Sequence, residues 1–372
     1  MAETVRILVV EDDDDQLQAY SDTADELSSE EIRIELTERK VAEEAKRDLL
    51  STDFDGAIVD LNLSSGDPTE TSGNEVLREI TEKHRFPVLV VSGNLQNLDN
   101  RIQQSGFLKT FDRDTPNNEI FKYLLKIQAT GITRILGGRG LIERHLGEIF
   151  WKHLACDFDG WDTGARDSEK TLLRYVVAHL SEYLDLPSGA ANEYYHEAEV
   201  YVVPPIREYI ATGDIVEKNG SRFILLSPPC DVAVRGIKEG IPVINAKTLL
   251  LAPLLPIARE TFLENSLITE GGNKDNAKGR ESLLNEIIKG KIEKYVFLTA
   301  HRNLGPVIAD LQALRSWSLS DYLASKRLAT VTSPFLKDIQ SKFAAYYGRQ
   351  GQPDLDKKEL VRKCKGKLKP PE

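Results

Sequence analysis

The first 130 residues alternate short apolar runs with amphipathic stretches. The apolar runs, each short enough for a strand, are Val5 to Val10, Ile32 to Leu36, Ala57 to Val59, Val88 to Val91 and the weaker Leu108 to Phe111. The stretches with helical spacing are Gln16 to Leu27, Val41 to Leu50, Asn74 to Lys83 and Asn118 to Ile127. This alternation predicts an α/β fold with a doubly wound five-stranded parallel sheet and helices on both faces.

Polar side chains follow three of these runs at the point where each predicted strand ends. Glu11 and Asp12 follow the first run, Asp60 the third and Ser92 the fourth. The carboxyl ends of parallel strands meet at one edge of the sheet, where such folds place their sites. Clustered carboxylates repel one another unless a cation is present, and their hard oxygens suit Mg²⁺. With a hydroxyl and a cation, this edge would receive the oxygens of a phosphoryl group.

In these segments the sequence resembles the receiver domain of bacterial two-component response regulators. The resemblance lies in three segments that follow in the family's order, Ile7-Leu8-Val9-Val10-Glu11-Asp12, Ala57-Ile58-Val59-Asp60-Leu61-Asn62-Leu63 and Pro87-Val88-Leu89-Val90-Val91-Ser92-Gly93. Together they are a specific signal, although each alone would be weak. The resemblance implies a chemotaxis-receiver-like domain over residues 1–130, with Mg²⁺ as cofactor and a histidine kinase as partner.

The resemblance also implies a role for each residue at the strand ends. Asp60 matches the phospho-acceptor, and Glu11 and Asp12 match the acidic pair that helps to hold Mg²⁺ together with Asp60. The backbone carbonyl of Asn62 matches a further metal ligand. Ser92 matches the switch hydroxyl that turns toward the phosphoryl group.

The family's lysine on the fifth strand has two possible counterparts. Counting from Asp60 and Ser92 favours Arg113, with Lys109 as the alternative. An arginine keeps the positive charge, but its longer, forked side chain makes different contacts from those of a lysine. If Arg113 fills this position, Thr110 stands where the family usually has a switch aromatic, which argues against output through an aromatic flip.

A structural explanation competes for some of the acids. Asp13, Asp14 and Asp15 could simply begin a helix, since carboxylates are stabilising near its positive end. This explanation does not account for Asp60 and Ser92, which also end apolar strands. A working receiver is therefore favoured over a degenerate, receiver-like interaction domain.

After a boundary near Thr130 the pattern changes, and residues 131–372 are expected to form an α+β domain with helices and a small antiparallel sheet or barrel. Its predicted parts are a helical segment at 139–186, a β-rich segment at 195–256, a mixed and mostly helical segment at 280–350 and a basic tail at 356–372. Within the β-rich segment, Asn219-Gly220 between two apolar runs predicts a hairpin.

Charge is shared unevenly between the two parts. Residues 1–130 carry 14 Lys and Arg against 28 Asp and Glu, whereas residues 131–372 carry 34 against 31. This balance, with no recognition-helix motif, argues against nucleic acid as a partner. No apolar run is long enough to span a membrane, and the N-terminus carries acids where a secretion signal needs basic residues, so we expect a cytoplasmic protein.

One alternative makes the second part an enzyme that the receiver regulates. Its candidate residues are Cys230, Asp231, His196 and Glu197. A cysteine after two prolines at a strand end is usually just buried, and no second histidine follows His196 at the spacing of a zinc protease. We therefore assign no catalytic residue to the second part, and expect no enzymatic activity beyond the receiver's own phosphorylation and dephosphorylation.

The function expected from the resemblance is a response regulator that accepts a phosphoryl group on Asp60. Phosphorylation adds about two negative charges and can bias a two-state interface, so output would pass through protein contacts with an effector or a second copy. A phosphate sink without output is the alternative. The second part is also similar to uncharacterised regions of bacterial receiver proteins that accompany histidine kinases in phage-defence gene sets, so antiviral defence is a further expectation.

Overall fold

A computed structural model describes residues 2–64, 71–157, 168–184, 194–258, 277–349 and 355–365. The chain divides into two compact units, Met1–Ala190 and Ala191–Glu372. This division falls later than the boundary predicted near Thr130, because the residues that follow the fifth strand and its helix continue to contact the first unit. None of the described helices is long and apolar enough to cross a membrane.

A parallel sheet forms the centre of the first unit. Its strands are β1 (Glu3–Val10), β2 (Ile32–Arg39), β3 (Gly56–Val59), β4 (Val88–Ser92) and β5 (Leu108–Asp112). They lie in the order β2-β1-β3-β4-β5, and every neighbouring pair is parallel. The predicted doubly wound five-stranded sheet is confirmed. In this order the chain reverses its direction of winding between β1 and β3, where a crevice opens at the carboxyl ends of the strands.

Four helices cover the two faces of this sheet. They are α1 (Asp14–Leu27), α2 (Ala42–Ser51), α3 (Gly73–Lys83) and α4 (Asn117–Ala129). One face packs against Tyr20 of α1 and Phe121 of α4, and the other packs against Leu49 of α2 and Leu77 of α3. Because β3 and β4 are buried on both sides, their sequences are continuous apolar runs instead of alternating ones.

The connection from β4 to β5 is a loop. Residues 93–107 are all described and contain a short 3-10 turn, Leu95–Asn97, and no α-helix. The buried side chain of Asn74, at the start of α3, holds this loop: its Nδ2 donates to the Asn97 carbonyl and its Oδ1 accepts from the Asp99 amide, both at 2.9 Å. Three apolar side chains of the loop cover the sheet face in place of a helix, Leu95, Leu98 and Ile102.

Three more α-helices follow among the described residues of the first unit. They are α5 (Ile132–Leu136), α6 (Leu141–Glu148), which continues as a π-helical turn over Ile149–Leu154, and α7 (Ser168–Leu184). The helices α6 and α7 lie in the segment expected to be helical at 139–186, and α5 precedes it. Residues 158–167, 185 and 186 of that segment lie outside the described residues.

Ion pairs fasten the start of this helical segment to the sheet domain. Arg134 Nη1 lies 2.6 Å from Glu3 Oε1, and Arg139 pairs with Asp55, which precedes β3. Gly138 lies so close to Asp53 that an added Cβ would come within 2.1 Å of its Oδ1. The residues after α4 are therefore part of the first unit and do not form a free linker.

An antiparallel sheet forms the centre of the second unit. Its strands are β6 (Tyr201–Val202), β7 (Asp214–Lys218), β8 (Ser221–Leu225), β11 (Leu249–Pro256), β12 (Tyr295–Leu298), β13 (Val307–Asp310), β14 (Arg315–Trp317) and β15 (Lys326–Val331). The order is β12-β13-β11-β8-β7-β15-β6, with β14 also paired to β11. Two further strands, β9 (Gly236–Lys238) and β10 (Ile241–Val243), form a separate hairpin. The antiparallel sheet expected for this part is present.

The predicted hairpin turn joins β7 to β8. Asn219 and Gly220 have φ angles of 52° and 76°, and the turn lies between the paired residues Lys218 and Ser221. Positive φ at both central positions is typical of the type I′ turn, whose twist matches that of the flanking strands.

The segment 280–350 contains more strand than the sequence predicted. The helices of the second unit are α8 (Pro229–Val232), α9 (Ala277–Ile288), α10 (Leu319–Leu323), α11 (Ser333–Gly348) and α12 (Lys357–Lys365). Between α9 and α11 lie four strands, so this segment carries strands beside its helices. The strand β15 pairs with β6 and β7, which come more than a hundred residues earlier, and such pairing leaves no local pattern. Within the predicted basic tail, residues 366–372 lie outside the described residues.

A buried carboxylate ties β7 to β15. Asp214 has no exposed surface, and its Oδ2 accepts hydrogen bonds from the Tyr322 hydroxyl at 2.6 Å and from Arg327 Nε at 3.0 Å. Its Oδ1 accepts from Thr330 Oγ1 at 2.5 Å. The charge is thus paired and hydrogen-bonded, which a buried ion requires.

Candidate functional site

Three side chains that the sequence placed at strand ends are buried together at the carboxyl edge of the parallel sheet. Glu11 follows β1, Asp60 follows β3 and Ser92 ends β4, and each is only 2% exposed. Asp12 is partly exposed beside them. Carboxylate oxygens of Glu11, Asp12 and Asp60 lie within 4.8 Å of one another, so the structure brings the predicted acidic cluster together.

Arg113 supplies the positive charge nearest to this cluster. Its Nη1 donates to Asp60 Oδ2 at 3.1 Å, and its Nη2 donates to Glu11 Oε1 at 2.8 Å. Nη2 also lies 3.6 Å from Asp13 Oδ2. One forked guanidinium therefore bridges carboxylates on two different strands, which a lysine with a single charged nitrogen does less readily.

Lys109 lies away from the site. Its Nζ lies over the rings of Phe111 and Tyr123, 4.9 Å and 4.3 Å from their centroids. Of the two residues considered for the lysine position, the structure places Arg113 at the carboxylates and Lys109 in cation–π contacts.

The environment favours the neutral forms of the two buried acids. Burial, and then the charge of Asp60, raises the pKa of Glu11 to about 7, although Arg113 opposes the shift. Burial also raises the pKa of Asp60, and the hydrogen bond from the Ser92 side chain is the largest of the opposing influences. Two carboxylates close together in a buried edge need a cation to remain ionised together.

The backbone fixes the position of Asp60. Its amide donates to the Val10 carbonyl at 2.9 Å, and the Asn62 amide donates to Asp60 Oδ1 at 3.3 Å. On the other side, Gly73 lies against the strand end, and a Cβ added there would come within 2.0 Å of the Asp60 carbonyl oxygen. The tight packing allows only glycine at the first residue of α3.

The acids that follow Asp12 begin a helix. Asp13 is the N-cap of α1, and its Oδ1 accepts from the amides of Asp15 at 2.9 Å and Gln16 at 3.4 Å. Asp14 and Asp15 occupy the first turn, where negative charge is stabilising. The structural explanation therefore holds for these three acids, whereas Glu11 and Asp60 point to a site.

Some residues of this region could not be found from the sequence. Tyr20 of α1 is 1% exposed, and burial raises the pKa of its hydroxyl, to which the charges of Glu11 and Asp60 add. Gly73 and Asn74 connect α3 to the acceptor strand and to the loop after β4. A glycine followed by an asparagine at the start of a helix was the one available signal, and it is common in turns that have no site nearby.

The candidate enzymatic residues of the second unit do not form a site. The His196 side chain accepts from the Ala198 amide at 3.1 Å, and the Glu199 side chain caps the His196 amide, so this segment forms a helix cap that also includes Glu197. Cys230 is exposed, and its Sγ lies 3.9 Å from Asp231 Oδ1. Within the described part of the chain, no hydrogen bond or ion pair joins His196 or Glu197 to Cys230 or Asp231.

The acidic cluster has the donors that Mg²⁺ requires. All three acids offer hard oxygens, and a divalent cation would offset the burial and the charge of Asp60, which together raise the pKa of Glu11. The residues present therefore fit Mg²⁺. Among the described residues, this is the only group of three such side chains close enough to hold a metal ion.

Solved receiver domains are similar to the first third of the chain. The response regulator receiver domain of Methylobacillus flagellatus is 14% identical and covers 33% of this chain and 99% of its own, with a TM-score of 0.26. A two-component response regulator from Clostridium difficile is 18% identical and covers 34% of this chain and 96% of its own, with a TM-score of 0.26. A receiver domain protein from Methanospirillum hungatei is 17% identical and covers 34% and 94%, with a TM-score of 0.25. No family model and no curated protein matches the chain.

The strand order and the buried acids define the class of the first unit. A parallel sheet in the order β2-β1-β3-β4-β5, with its crevice between β1 and β3, is the doubly wound order of flavodoxin-like and chemotaxis-receiver proteins. The residues at that crevice are Glu11, Asp12 and Asp60. The N-terminal sheet domain therefore has the fold of a response-regulator receiver. The expected link to antiviral defence has no support in these matches.

Proposed function

We propose that the protein is a cytoplasmic response regulator that accepts a phosphoryl group on Asp60 from a histidine kinase. The observation that supports this proposal best is the pairing of a buried acceptor carboxylate with a cation and two further acids. Asp60 is held by Arg113 at 3.1 Å, with Glu11 and Asp12 beside it. Phosphoryl transfer needs positioning and charge neutralisation more than it needs covalent chemistry from the protein, so these few groups suffice.

The proposed transfer is a displacement at phosphorus. A carboxylate oxygen of Asp60 forms the new O–P bond while the P–N bond of the kinase's phosphohistidine breaks, and the imidazole leaves with the electron pair of that bond. Glu11, Asp12, Asp60 and the backbone carbonyl of Asn62 would hold Mg²⁺, which would supply charge neutralisation for the phosphoryl oxygens.

Arg113 and Ser92 would bind the transferred group. Arg113 already donates to Asp60 Oδ2, and Ser92 hydrogen-bonds to the same carboxylate. After transfer, the phosphoryl oxygens become the stronger acceptors for both donors. The guanidinium would then shift its hydrogen bond from the acceptor carboxylate to the phosphoryl group, which couples the chemistry to the end of β5.

Output would pass through protein contacts outside the sheet domain, with an effector protein or a second copy as the partner. A change of about two charges at a buried edge is enough to bias a two-state contact. In the alternative, the protein is a phosphate sink, and its function would survive removal of the residues after the sheet domain.

The experiment is phosphorylation of the full chain by phosphoramidate, a small donor that carries the P–N bond, in Mg²⁺. Intact mass is recorded for the wild type, for Asp60→Asn and for the matched exposed control Asp114→Asn. We expect a phosphoryl mass on the wild type and the control, removable by hydroxylamine, and none on Asp60→Asn. Omission of Mg²⁺ should abolish the gain of mass.

Two results would count against the proposal. If Asp60→Asn gains the same mass as the wild type, the acceptor is another residue. If no variant gains mass, from the small donor or from any of a panel of histidine kinases, the acidic cluster is a metal-binding or structural feature.

A further inference from the structure

The helix α7 buries its polar aromatic side and exposes an apolar one. Tyr175, His179 and Tyr183 are half-buried toward α6 and its π-helical turn, where the Tyr183 hydroxyl lies 3.0 Å from His153 Nε2. On the opposite side Leu173, Val177 and Leu184 are 63%, 58% and 53% exposed. A helix inside a folded unit usually does the reverse, so this side is suited to contact with another apolar surface.

The spacing of the apolar residues on this side of α7 indicates which kind of surface they contact. Four apolar residues, which we call the α7 stripe, are separated by four, three and four residues: Leu173, Val177, Leu180 and Leu184. Leu180 is half-buried, and the other three are exposed. This is the alternation of the two core positions of a coiled coil. The β-branched Val177 and the leucine Leu184 fall at the first core position, and Leu173 and Leu180 fall at the second. Valine at the first position with leucine at the second favours two parallel strands.

Charge complementarity selects a second copy of α7 in parallel. In this register Glu169 and Arg174 occupy the two positions that flank the core, and parallel pairing places Glu169 of one chain beside Arg174 of the other. Both are exposed, and Arg174 Nη2 donates to Thr171 Oγ1 at 3.3 Å. Neither residue forms an ion pair with any part of the chain that the structure describes. An antiparallel pair would bring opposite ends of the two helices together, so Glu169 of one chain would lie far from Arg174 of the other and this ion pair would not form.

We propose that two copies of this chain associate through the α7 stripe as a parallel two-stranded coiled coil. The proposal names a surface for one of the partners considered above, but it concerns the unphosphorylated chain and does not depend on phosphoryl transfer. The helix has 17 residues, fewer than three heptads, so the contact is small. We expect dissociation constants on the order of 10 µM, in the range of weak specific contacts.

The first test is sedimentation velocity of the unphosphorylated full chain from about 1 to 200 µM. We expect the wild type to pass from monomer to dimer over this range. Val177→Lys places a charge in the core of the pair and should weaken association at least about 10-fold. The matched control is Ile206→Lys, since Ile206 is an exposed aliphatic residue outside the helix, at 86% exposure, and this variant should dimerise as the wild type does.

A charge swap keeps the proposal testable if Val177→Lys fails to fold. Arg174→Glu alone should weaken the dimer, and Glu169→Arg combined with Arg174→Glu should restore it. Both changes are at exposed positions, and circular dichroism verifies that the helices persist. A wild type that stays monomeric throughout, or a dimer that neither Val177→Lys nor Arg174→Glu weakens, would overturn the proposal.

The second test distinguishes the direction of pairing. In a background with Cys156→Ser, Cys230→Ser and Cys364→Ser, Leu173→Cys places a thiol in the core of the proposed pair, beside the same residue of the second copy. Mild oxidation should give a disulfide-linked dimer. Ala178→Cys, exposed outside the core, is the matched control and should remain unlinked. Equal cross-linking of both variants, or none in either, would contradict a parallel α7 contact.

Discussion

Arg113 Nη1 lies 3.1 Å from Asp60 Oδ2, so the residue that follows β5 is hydrogen-bonded to the residue that follows β3. The same guanidinium reaches Glu11 after β1, at 2.8 Å. Three of the strand ends at this edge are therefore joined by one side chain. Any change in the charge or size of the Asp60 carboxylate acts directly on the position of Arg113.

Replacement of Arg113 tests this link. Arg113→Ala should slow the gain of a phosphoryl group from phosphoramidate by at least about 10-fold, because a positioned cation that stabilises transferred charge is lost. Lys109→Ala should react at the wild-type rate, since the Lys109 ammonium lies over the rings of Phe111 and Tyr123 and not at the carboxylates. The measurement is the time course of intact mass at fixed Mg²⁺. Equal slowing in both variants would show that Arg113 has no special part in the transfer.

A methyl group at Gly73 should damage the acceptor site through the backbone. Gly73→Ala places a Cβ against the Asp60 carbonyl and Leu61 Cα, which forces α3 and β3 apart and costs about 2 kcal/mol or more of unfolding free energy. Gly106→Ala is the control, because nothing lies within 4 Å of a Cβ there. Urea unfolding measures both. Wild-type stability of Gly73→Ala would mean that the contact relaxes easily.

The loop after β4 should loosen when its side-chain clamp is removed. Asn74→Ala loses the two hydrogen bonds to Asn97 and Asp99, each of about 1 kcal/mol, and leaves buried polar groups unpaired. We expect faster amide hydrogen exchange at residues 97–99, with little change in the strands. Asn100→Ala, an exposed position in the same loop, should exchange as the wild type does. Unchanged protection at Asp99 in Asn74→Ala would contradict the clamp.

The buried carboxylate of the second unit should be essential for its stability. Asp214→Asn leaves the half-buried Arg327 without its charge partner, and breaking an ion pair with a fully buried carboxylate typically costs about 3–5 kcal/mol. The comparison is Asp338→Asn, which removes an exposed ion pair with Lys342 and should cost less than about 1 kcal/mol. Thermal unfolding of the full chain measures both. Similar losses in the two variants would show that the network around Asp214 is not special.

Stability should fall at alkaline pH through buried tyrosines. Burial raises the pKa of Tyr201 to about 12, and burial together with the charge of Asp214 raises the pKa of Tyr322 still further. Above about pH 10 the unfolded chain loses protons that the folded chain keeps, so the free energy of unfolding decreases as pH rises. Urea unfolding at pH 8 and at about pH 10.5 measures this slope. Tyr201→Phe should reduce the slope, and an unchanged slope would argue against the shifted pKa.

Much of the sheet domain could be predicted because its evidence is local. Each strand end that carries Glu11, Asp60 or Ser92 follows an apolar run, and the rule for parallel sheets brings those ends together. Counting along the sequence favoured Arg113 but left Lys109 open, since the outcome depends on which side chain reaches back over the edge. The conformation of the loop from 93 to 107 could not be predicted either, because the hydrogen bonds that hold it come from Asn74, a residue on a different element.

The second unit shows the opposite case. Its hairpin at Asn219 and Gly220 was predicted from a local signal and is present. The strand β15 was missed because it pairs with β7, from which it is separated by more than a hundred residues. The side-chain partners of Asp214 come from β15 and from α10, more than a hundred residues later, so no short pattern could identify Asp214 as the residue that links them to β7.

The strand β3 has a fixed contact at each of its ends. Asp55, just before it, pairs with Arg139 of the segment that leads into α6, and Asp60, just after it, pairs with Arg113. The two acids are separated by an extended backbone of roughly 16 Å, which has little room to stretch. Because this backbone cannot lengthen much, a movement of Asp60 along the axis of β3 would also move Asp55. The ion pair between Asp55 and Arg139, at the other end of the strand, would then shift as well.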